Sequence, residues 1–509
     1  MECGGRDARA KPRIVDSAFE RRLALVSSPR HRKAVSRFAS HAQSKTLSRL
    51  RPPLQLIPPF GLRHSFVILN SPFVISHMPS DTSTGLLSIT PARSTSTPAW
   101  FTTRSNAAWT EFQSLPLPGL KDENWRYSNA KKIELAEHAP AKTPTAEQSK
   151  AALAATEGLK ERAARFVFVN DTLVESDTSG LPAGVVCVSF EEALKSHEAA
   201  LQQHFMKGDL PLGSGKFAAL HLAHVKAGTV IIVPKNVVIE KPVEIFHWVV
   251  GDHAAIFPHT LVVTGDHAQV SVVDHYRSLE GEGGLSIAIA DLVGGSGSQI
   301  TYAACQELAD DAQALHLSSI TAGRDASVKS FQVQLGAAFS RSESVSDLVG
   351  QGARSDMLSV SLPIGDQIVD QRTLQRHKAP HATSDLLYKN ALYGQSRSIF
   401  SGLIIVDEGA HYTDAYQTCR NLLNSNEAEA TSLPGLEINA DQVKCSHGST
   451  SGPIADEELF YLKARGIPDI ESRRLIVEGF LADVIERFGN SEVLDTLVAR
   501  IDEKLLKAE

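Results

Sequence analysis

The chain has 509 residues, 42% of them hydrophobic and 21% charged, enough for two or three domains with a sizeable core and too apolar for a disordered chain. The net charge of −7 hides a division: residues 1–77 carry fourteen Lys and Arg against four Asp and Glu, and the remainder 37 against 54. An acidic body offers no general attraction to nucleic-acid phosphates, so no nucleic-acid partner is expected. No apolar run reaches the roughly 18–20 residues a membrane helix needs, and the longest, Phe66 to Ile75, is broken by Asn70, Ser71 and Pro72.

Along the chain, residues 1–77 show no sustained helical or strand period. A transit peptide should be poor in acids, yet Glu2, Asp7, Asp16 and Glu20 are present. The reading adopted is an over-long start, with Met78 as the natural first residue. Residues 98–170 read as helical and irregular. Thr145-Ala-Glu-Gln148 has the spacing of a capping box ahead of the Ala-rich stretch Ser149 to Arg165. Phe166–Val169 and Thr172–Val174 are β signals around the turn pair Asn170-Asp171. Ser189-Phe-Glu-Glu192 starts a further helix, expected to run to about Phe205.

From about Ala218 the pattern changes for some two hundred residues. Short β-rich segments such as Thr229–Val233, Val237–Glu240, Val243–Trp248, Leu285–Leu292, Val328–Leu335 and Ser398–Val406 follow one another, separated by Gly, Asp, Asn or Pro. Spacings this short exclude βαβ units and point to an all-β solenoid, sandwich or barrel. The run is too long for one compact sandwich, so a solenoid is favoured. After Cys445 the helical period returns. Asp456–Arg465 is a short helix stopped by Gly466-Ile-Pro468, Ile470–Phe488 is a long one, and Glu492–Leu506 is a last amphipathic helix.

Five cysteines, Cys3, Cys187, Cys305, Cys419 and Cys445, form an odd, scattered set without a CxxC pair. That is neither a disulfide framework nor a zinc ribbon, and it suits a reducing cytoplasm. Gly208 to Lys216 imitates a phosphate loop, but its glycine spacing is wrong and Phe217 stands where the Mg²⁺-binding Ser or Thr belongs. No bound nucleotide is expected. The densest polar cluster runs from Arg372 to Ser451 and includes His377, His381, Lys389, His411 and Asp441. Within it Cys445 and His447 are two apart, so an extended backbone turns both to one side. A thiolate and an imidazole are plausible ligands for iron or partners for a persulfide; the competing reading is a buried Cys with a hydrogen-bonded His.

Asp414-Ala-Tyr-Gln-Thr-Cys-Arg-Asn-Leu-Leu423, Leu436-Glu-Ile-Asn-Ala-Asp441, Val443-Lys-Cys-Ser-His-Gly-Ser-Thr450 and Asp456 to Gly466 resemble the C-terminal signature of the SufB/SufD family, subunits of the SUF iron–sulfur cluster assembly scaffold. Glu123-Asn-Trp-Arg-Tyr127 is similar to the family's N-terminal element. The SufD branch is the better match, because SufB carries a HEATT-like sequence where this chain has His447-Gly-Ser-Thr450.

The resemblance implies a right-handed parallel β-helix between helical regions. The expected division is a basic extension over 1–77, a mostly helical region over 78–217, a β-helix over 218–444 and a helical region over 445–509. It implies no catalytic turnover by this chain, a SufB-like partner met through the β-helix, and a SufC-like ATPase docked on the C-terminal helices. The iron–sulfur cluster would be transient and shared with SufB. His447 is then the metal and cluster-assembly candidate, with Cys445 beside it. Cys419 falls where SufB has its essential cysteine, so a SufB-like role in accepting sulfur is an alternative. Arg465, Leu475, Ile476, Phe480 and Leu481 are the partner-docking candidates, against internal packing as the plain alternative. A plastid location replaces the cytoplasm if residues 1–77 are a genuine transit peptide. The rival from another class, a β-solenoid carbohydrate enzyme, would need paired carboxylates and stacking aromatics in a groove; the β region is poor in Trp and Tyr.

Overall fold

A computed structural model of the chain describes residues 85–279, 283–489 and 491–508. The expectations for the extension 1–77, for Met78 and for Cys3 lie outside the described residues.

The N-terminal region carries helix α1 (Ala99–Ser114), strand β1 (Ala139–Pro140), helix α2 (Ala146–Ala155), strands β2 (Ala164–Val169), β3 (Thr172–Asp177) and β4 (Val186–Ser189), and helices α3 (Phe190–Ser196), α4 (Glu198–His204) and α5 (Gly215–His224). The capping box at Thr145 forms as expected, with both reciprocal bonds to Gln148 in place. The helix it starts ends at Ala155 rather than continuing to Arg165; beyond it the Leu159 N–H donates to Glu244, and the chain becomes strand at Ala164. Ser189 caps α3 through the Glu192 N–H, but the helix expected to reach Phe205 splits at His197. α5 occupies residues expected to begin the β region. Phe217, Leu220, His221 and His224 are buried at helical spacing along it, a pattern that a strand would split between two faces.

The solenoid follows: β5 (Gly228–Val233), β6 (Val243–Val249), β7 (Ala254–Ile256), β8 (His259–Thr264), β9 (Gln269–Ser278), β10 (Leu285–Gly294), β11 (Gln299–Glu307), β12 (Gln313–Ala322) and β13 (Ser327–Gln334). It continues through β14 (Phe339–Leu348), β15 (Arg354–Ser361), β16 (Ile368–His377), β17 (Thr383–Leu392), β18 (Arg397–Val406), β19 (Asp414–Leu423), β20 (Glu429–Ile438) and β21 (Lys444–Pro453). From β8 onward the strands alternate between two stacked parallel sheets, even-numbered strands in one and odd-numbered strands in the other, with β7 a short side branch on β10. The expected β-solenoid is therefore present. Val237–Glu240 is not a strand and contributes a single bridge from Val238 to Gln269. β16, β20 and β21 were not expected, and β21 carries the solenoid past the boundary placed at 444.

One corner repeats in every coil. Asn236, His267, Gly297, Asp325, Gly352, His381, Tyr412 and Gln442 all have positive φ and recur 27 to 31 residues apart. From Asn236 to His381, each of these N–H groups donates to the carbonyl just before the next corner residue, as from His267 to Ser296 and from His381 to His411. Glycine is needed where the neighbour below is bulky: a Cβ at Gly297 would lie 2.4 Å from His267 Nδ1.

The N-terminal region is tied to the even sheet by a buried ionic network. The Arg341 guanidinium pairs with Asp370 and donates to Glu343 at 2.8 Å, and Arg372 donates to the other Asp370 oxygen at 2.6 Å. Arg341 also donates to the carbonyls of Asn124 and Leu212, and Arg372 to that of Arg126. Trp125 lies over the Arg341 guanidinium at 3.9 Å and is itself buried. The Glu123–Tyr127 element is thus a clamp on β14 and β16.

After β21 come α6 (Asp456–Lys463), α7 (Asp469–Phe488) and α8 (Ser491–Ala508). Val477, Leu481, Val484, Ile485 and Phe488 of α7, with Val493, Leu497, Ile501 and Leu505 of α8, share a core with Phe331, Val333, Leu358 and Leu387 of the odd sheet. Lys329 of β13 donates to the last carbonyls of α7, Arg487 at 2.8 Å and Phe488 at 3.2 Å, the end where a cation suits the helix dipole.

Asp370→Ala leaves two buried guanidinium groups without their shared carboxylate. The expected loss is about 3–5 kcal/mol, read as a lower denaturation midpoint; a change under about 0.5 kcal/mol, the usual size of a surface substitution, would show that the clamp is not needed.

Candidate functional site

The two ends of the solenoid differ. At the start, β3 pairs antiparallel on β2 and β4 antiparallel on β5, and Phe190, Leu201, Phe205 and Phe101 pack over Val230 and Leu261. At the finish, β20 and β21 are the last strands of their sheets, each paired on one side only among the described residues. Their free sides present rows of backbone N–H and C=O groups, a template for a further strand.

Burial alternates along β19: Ala415, Gln417, Cys419 and Asn421 are buried, while Tyr416 and Arg420 are exposed. The buried set faces the lumen, since Asn421 donates to Ser432 on the opposite sheet and Phe400 of that sheet packs in one cluster with Cys419. β21 stacks on β19 in register, pairing Cys445 with Ala415, His447 with Gln417, Ser449 with Cys419 and Ser451 with Asn421. The Asn421 amide donates to Ser451 at 2.9 Å, so paired residues share a side. Cys445, His447 and Cys419 therefore all belong to the lumenal rows of the last two coils, with His447 diagonal to Cys419. Their exposure differs because the last coil has nothing stacked on it: Cys419 is buried, Cys445 half-buried and His447 exposed.

Burial pushes the Cys419 thiol up to about 12, although Ser432 and Asn421 stand near the sulfur at 3.9 Å and favour the thiolate. Burial and the neighbouring Asp414 raise Cys445 as well. Two thiols and an imidazole suit iron and sulfide by softness. Among the described residues no three His, Cys, Asp or Glu side chains come close enough to hold a metal ion. By themselves these three donors do not complete a metal site.

The rest of the polar cluster disperses. Arg372 belongs to the buried clamp, His377 lies in the lumen against Ser384 at 2.8 Å, and Lys389 donates to the Phe480 carbonyl at 2.7 Å. His381 stacks on Tyr412 with ring centroids 4.8 Å apart, and His411 meets the backbone of Asp441. The false phosphate loop is spent on packing: Lys216 Nζ donates to the carbonyls of Phe112 and Leu115, both at 2.6 Å.

The docking candidates also separate. Leu481 is in the core, Ile476 and Phe480 are partly buried against it, Leu475 is half-buried, and Arg465 is exposed in the turn after α6. Sequence reasoning missed Phe460, which is 74% exposed, and Ile470, 58% exposed. Helical spacing could have found Phe460: Leu459 and Leu462 turn inward on α6, which leaves Phe460 outside.

Residues 93–245 match the sequence model of the SufBD protein N-terminal region, and residues 247–480 that of the SUF system FeS cluster assembly SufBD core domain. The chain is 26% identical over 426 residues to the iron–sulfur cluster assembly protein SufD of Bacillus subtilis, covering 80% of this chain and 94% of that protein. It is 28% identical over 417 residues to SufD of Escherichia coli, covering 79% and 94%. An iron–sulfur cluster assembly SufBD family protein of Synechocystis is 25% identical over 389 residues, 74% and 84% of the two chains. The two matched regions abut and span the clamp, the solenoid and most of α7, and the chain belongs to the SufBD family of iron–sulfur cluster assembly proteins.

Proposed function

We propose that the chain is a SufD-type scaffold subunit without turnover of its own, on whose open solenoid end a nascent iron–sulfur cluster is assembled. The observation that carries this reading is the placement of His447, Cys445 and Cys419 on the lumenal rows beside two edge strands, each free on one side among the described residues. A second solenoid of SufB type, added edge to edge on β20 and β21, would satisfy their backbone groups and bring the further ligands that this chain lacks. The SufD rather than SufB assignment rests on His447-Gly-Ser-Thr450 and on relatives that bear the SufD name. Cys419 as a sulfur acceptor is the second reading. It needs the last coil to open, because a buried, protonated thiol is a poor nucleophile. Free thiols at Cys187, Cys305, Cys419 and Cys445 suit a reducing compartment such as the cytoplasm. No described helix is long and apolar enough to cross a membrane.

The SufC-like ATPase is assigned to the outer surface of the C-terminal helices. Of the residues considered, Phe460 and Ile470 have the exposure a docking anchor needs, Arg465 lies in the turn that links α6 and α7, and Leu481 serves the core.

His447→Ala is expected to co-purify normally with SufB- and SufC-like partners while bound iron and sulfide fall several-fold. Cys445→Ser should reduce them less. Full cluster content in a well-assembled His447→Ala complex would remove the site. Complex yield reports folding and bound iron reports chemistry, so the two failures are separable.

Phe460→Asp should release the ATPase partner in pull-downs with thermal stability changed by less than about 0.5 kcal/mol. Leu481→Asp, which buries an unpaired charge, should unfold the C-terminal helices instead. Retention of the partner by Phe460→Asp would move the docking surface elsewhere.

Thiol labelling tests the two cysteines directly. The thiolate is the reactive form, and Cys419 is pushed up to about 12, so it should stay unlabelled by iodoacetamide near neutral pH while Cys445 reacts. Mass spectrometry that finds Cys419 labelled first in the intact fold would favour the sulfur-acceptor reading.

A further inference from the structure

The lumen is polar at more than one place along the solenoid. In the first coils Ile231, Val233, Ile245, Val262 and Val272 line it beside a cluster in which Thr260, Tyr276 and Tyr302 all donate to Asp274. By β16 it is lined by Gln371, Thr373 and Gln375, each almost fully buried. The Gln371 amide nitrogen donates to Gln334 and Ser359, and that of Gln375 to Ser384, but the side-chain oxygen of each has no partner. Between them the Thr373 hydroxyl has none either. Across the lumen on β19, Gln417 is 1% exposed and both atoms of its amide lack a partner.

Two of these orphaned groups, on Thr373 and Gln417, meet beside one glycine. Gly402 of β18 sits in register beside Thr373. A Cβ on Gly402 would lie 1.8 Å from the Gln417 amide nitrogen and 2.7 Å from the Thr373 hydroxyl oxygen. The absence of a side chain there is what lets Gln417 reach across to Thr373. A buried polar group without a partner costs about as much as a lost hydrogen bond, and several in one stretch of lumen form a costly set unless something joins them.

We infer that this stretch of lumen is a hydration site, in which water is held between the Thr373 hydroxyl and the Gln417 amide. The donor set selects the ligand. These groups include no cationic side chain to hold an anion, and the absence of a carboxylate among them leaves a bare cation uncompensated. Water, both donor and acceptor, matches an amide N–H, a hydroxyl and carbonyl oxygens together. The interior of the last coils is then wet at this point, and this medium adjoins the lumenal row that holds Cys419. The inference stands apart from the functional reading, since it uses no property of His447 or of a partner.

The test is the sign of a stability change. Thr373→Val is isosteric and removes only the hydroxyl. If the hydroxyl binds water, the full-length variant should melt lower by about 2 °C; if the hydroxyl is a dry orphan, removing it relieves a penalty and the variant should melt unchanged or higher. Gln417→Met, similar in shape and unable to donate, should shift the same way as Thr373→Val. A crystal structure of the wild-type chain decides independently of whether either variant folds. Solvent density within hydrogen-bond distance of both Thr373 Oγ1 and Gln417 is expected, and bare density between them, or a rise or no change in melting temperature for both variants, overturns the inference.

Discussion

A parallel strand cannot satisfy its own backbone, so each coil of this solenoid is completed by the coils above and below it. That requirement makes the two ends the decisive places in the molecule. The first coils are closed by a change of direction, antiparallel β3 and β4, and by aromatic helices packed over them. The final coil has no such closure among the described residues. The residues with the chemistry of interest, His447 and Cys445, lie on that last coil, and their accessibility follows from its position rather than from any local loop.

The flanking regions are held by directed polar contacts as much as by apolar burial. On the even sheet, Arg341, Asp370 and Arg372 clamp the Glu123–Tyr127 element through its backbone carbonyls. On the odd sheet, Lys329 fixes α7 through its last carbonyls and Lys389 through that of Phe480, while Arg500 reaches Glu307 and Lys504 reaches Asp310 from α8. Glu307, held down to about 2 by His275, Arg277 and Arg500 against the cost of its burial, remains charged at any physiological pH. These contacts orient the C-terminal helices along the sheet and leave Phe460 and Ile470 facing outward.

How much of the site was legible depended on which interaction sets each residue's place. The pairing of Cys445 with His447 followed from the strand period, and both do lie on one side of β21. The strand itself was not legible: Lys444–Pro453 is rich in Ser, Gly and Thr, and its extension comes from stacking on β19 rather than from propensity. The same holds for β16, whose Gln371, Thr373 and Gln375 face a polar lumen that no alternation of apolar residues announces.

The sequence by itself determined the class of the molecule. Short β segments without intervening helices require stacked sheets, capping residues such as Thr145 and Ser189 start helices through bonds within a single turn, and the motifs from Asp414 to Gly466 identify the family. These signals are local, carried by neighbours along the chain. Only the tertiary structure decided the coil repeat, because its corner residues, Asn, His, Gly, Asp, Tyr and Gln, share a backbone conformation and no side-chain chemistry. It alone placed Cys419 inside and His447 outside, although both lie on lumenal rows of adjacent coils. Burial is a property of what lies above a residue, and in a solenoid that neighbour is about thirty positions away.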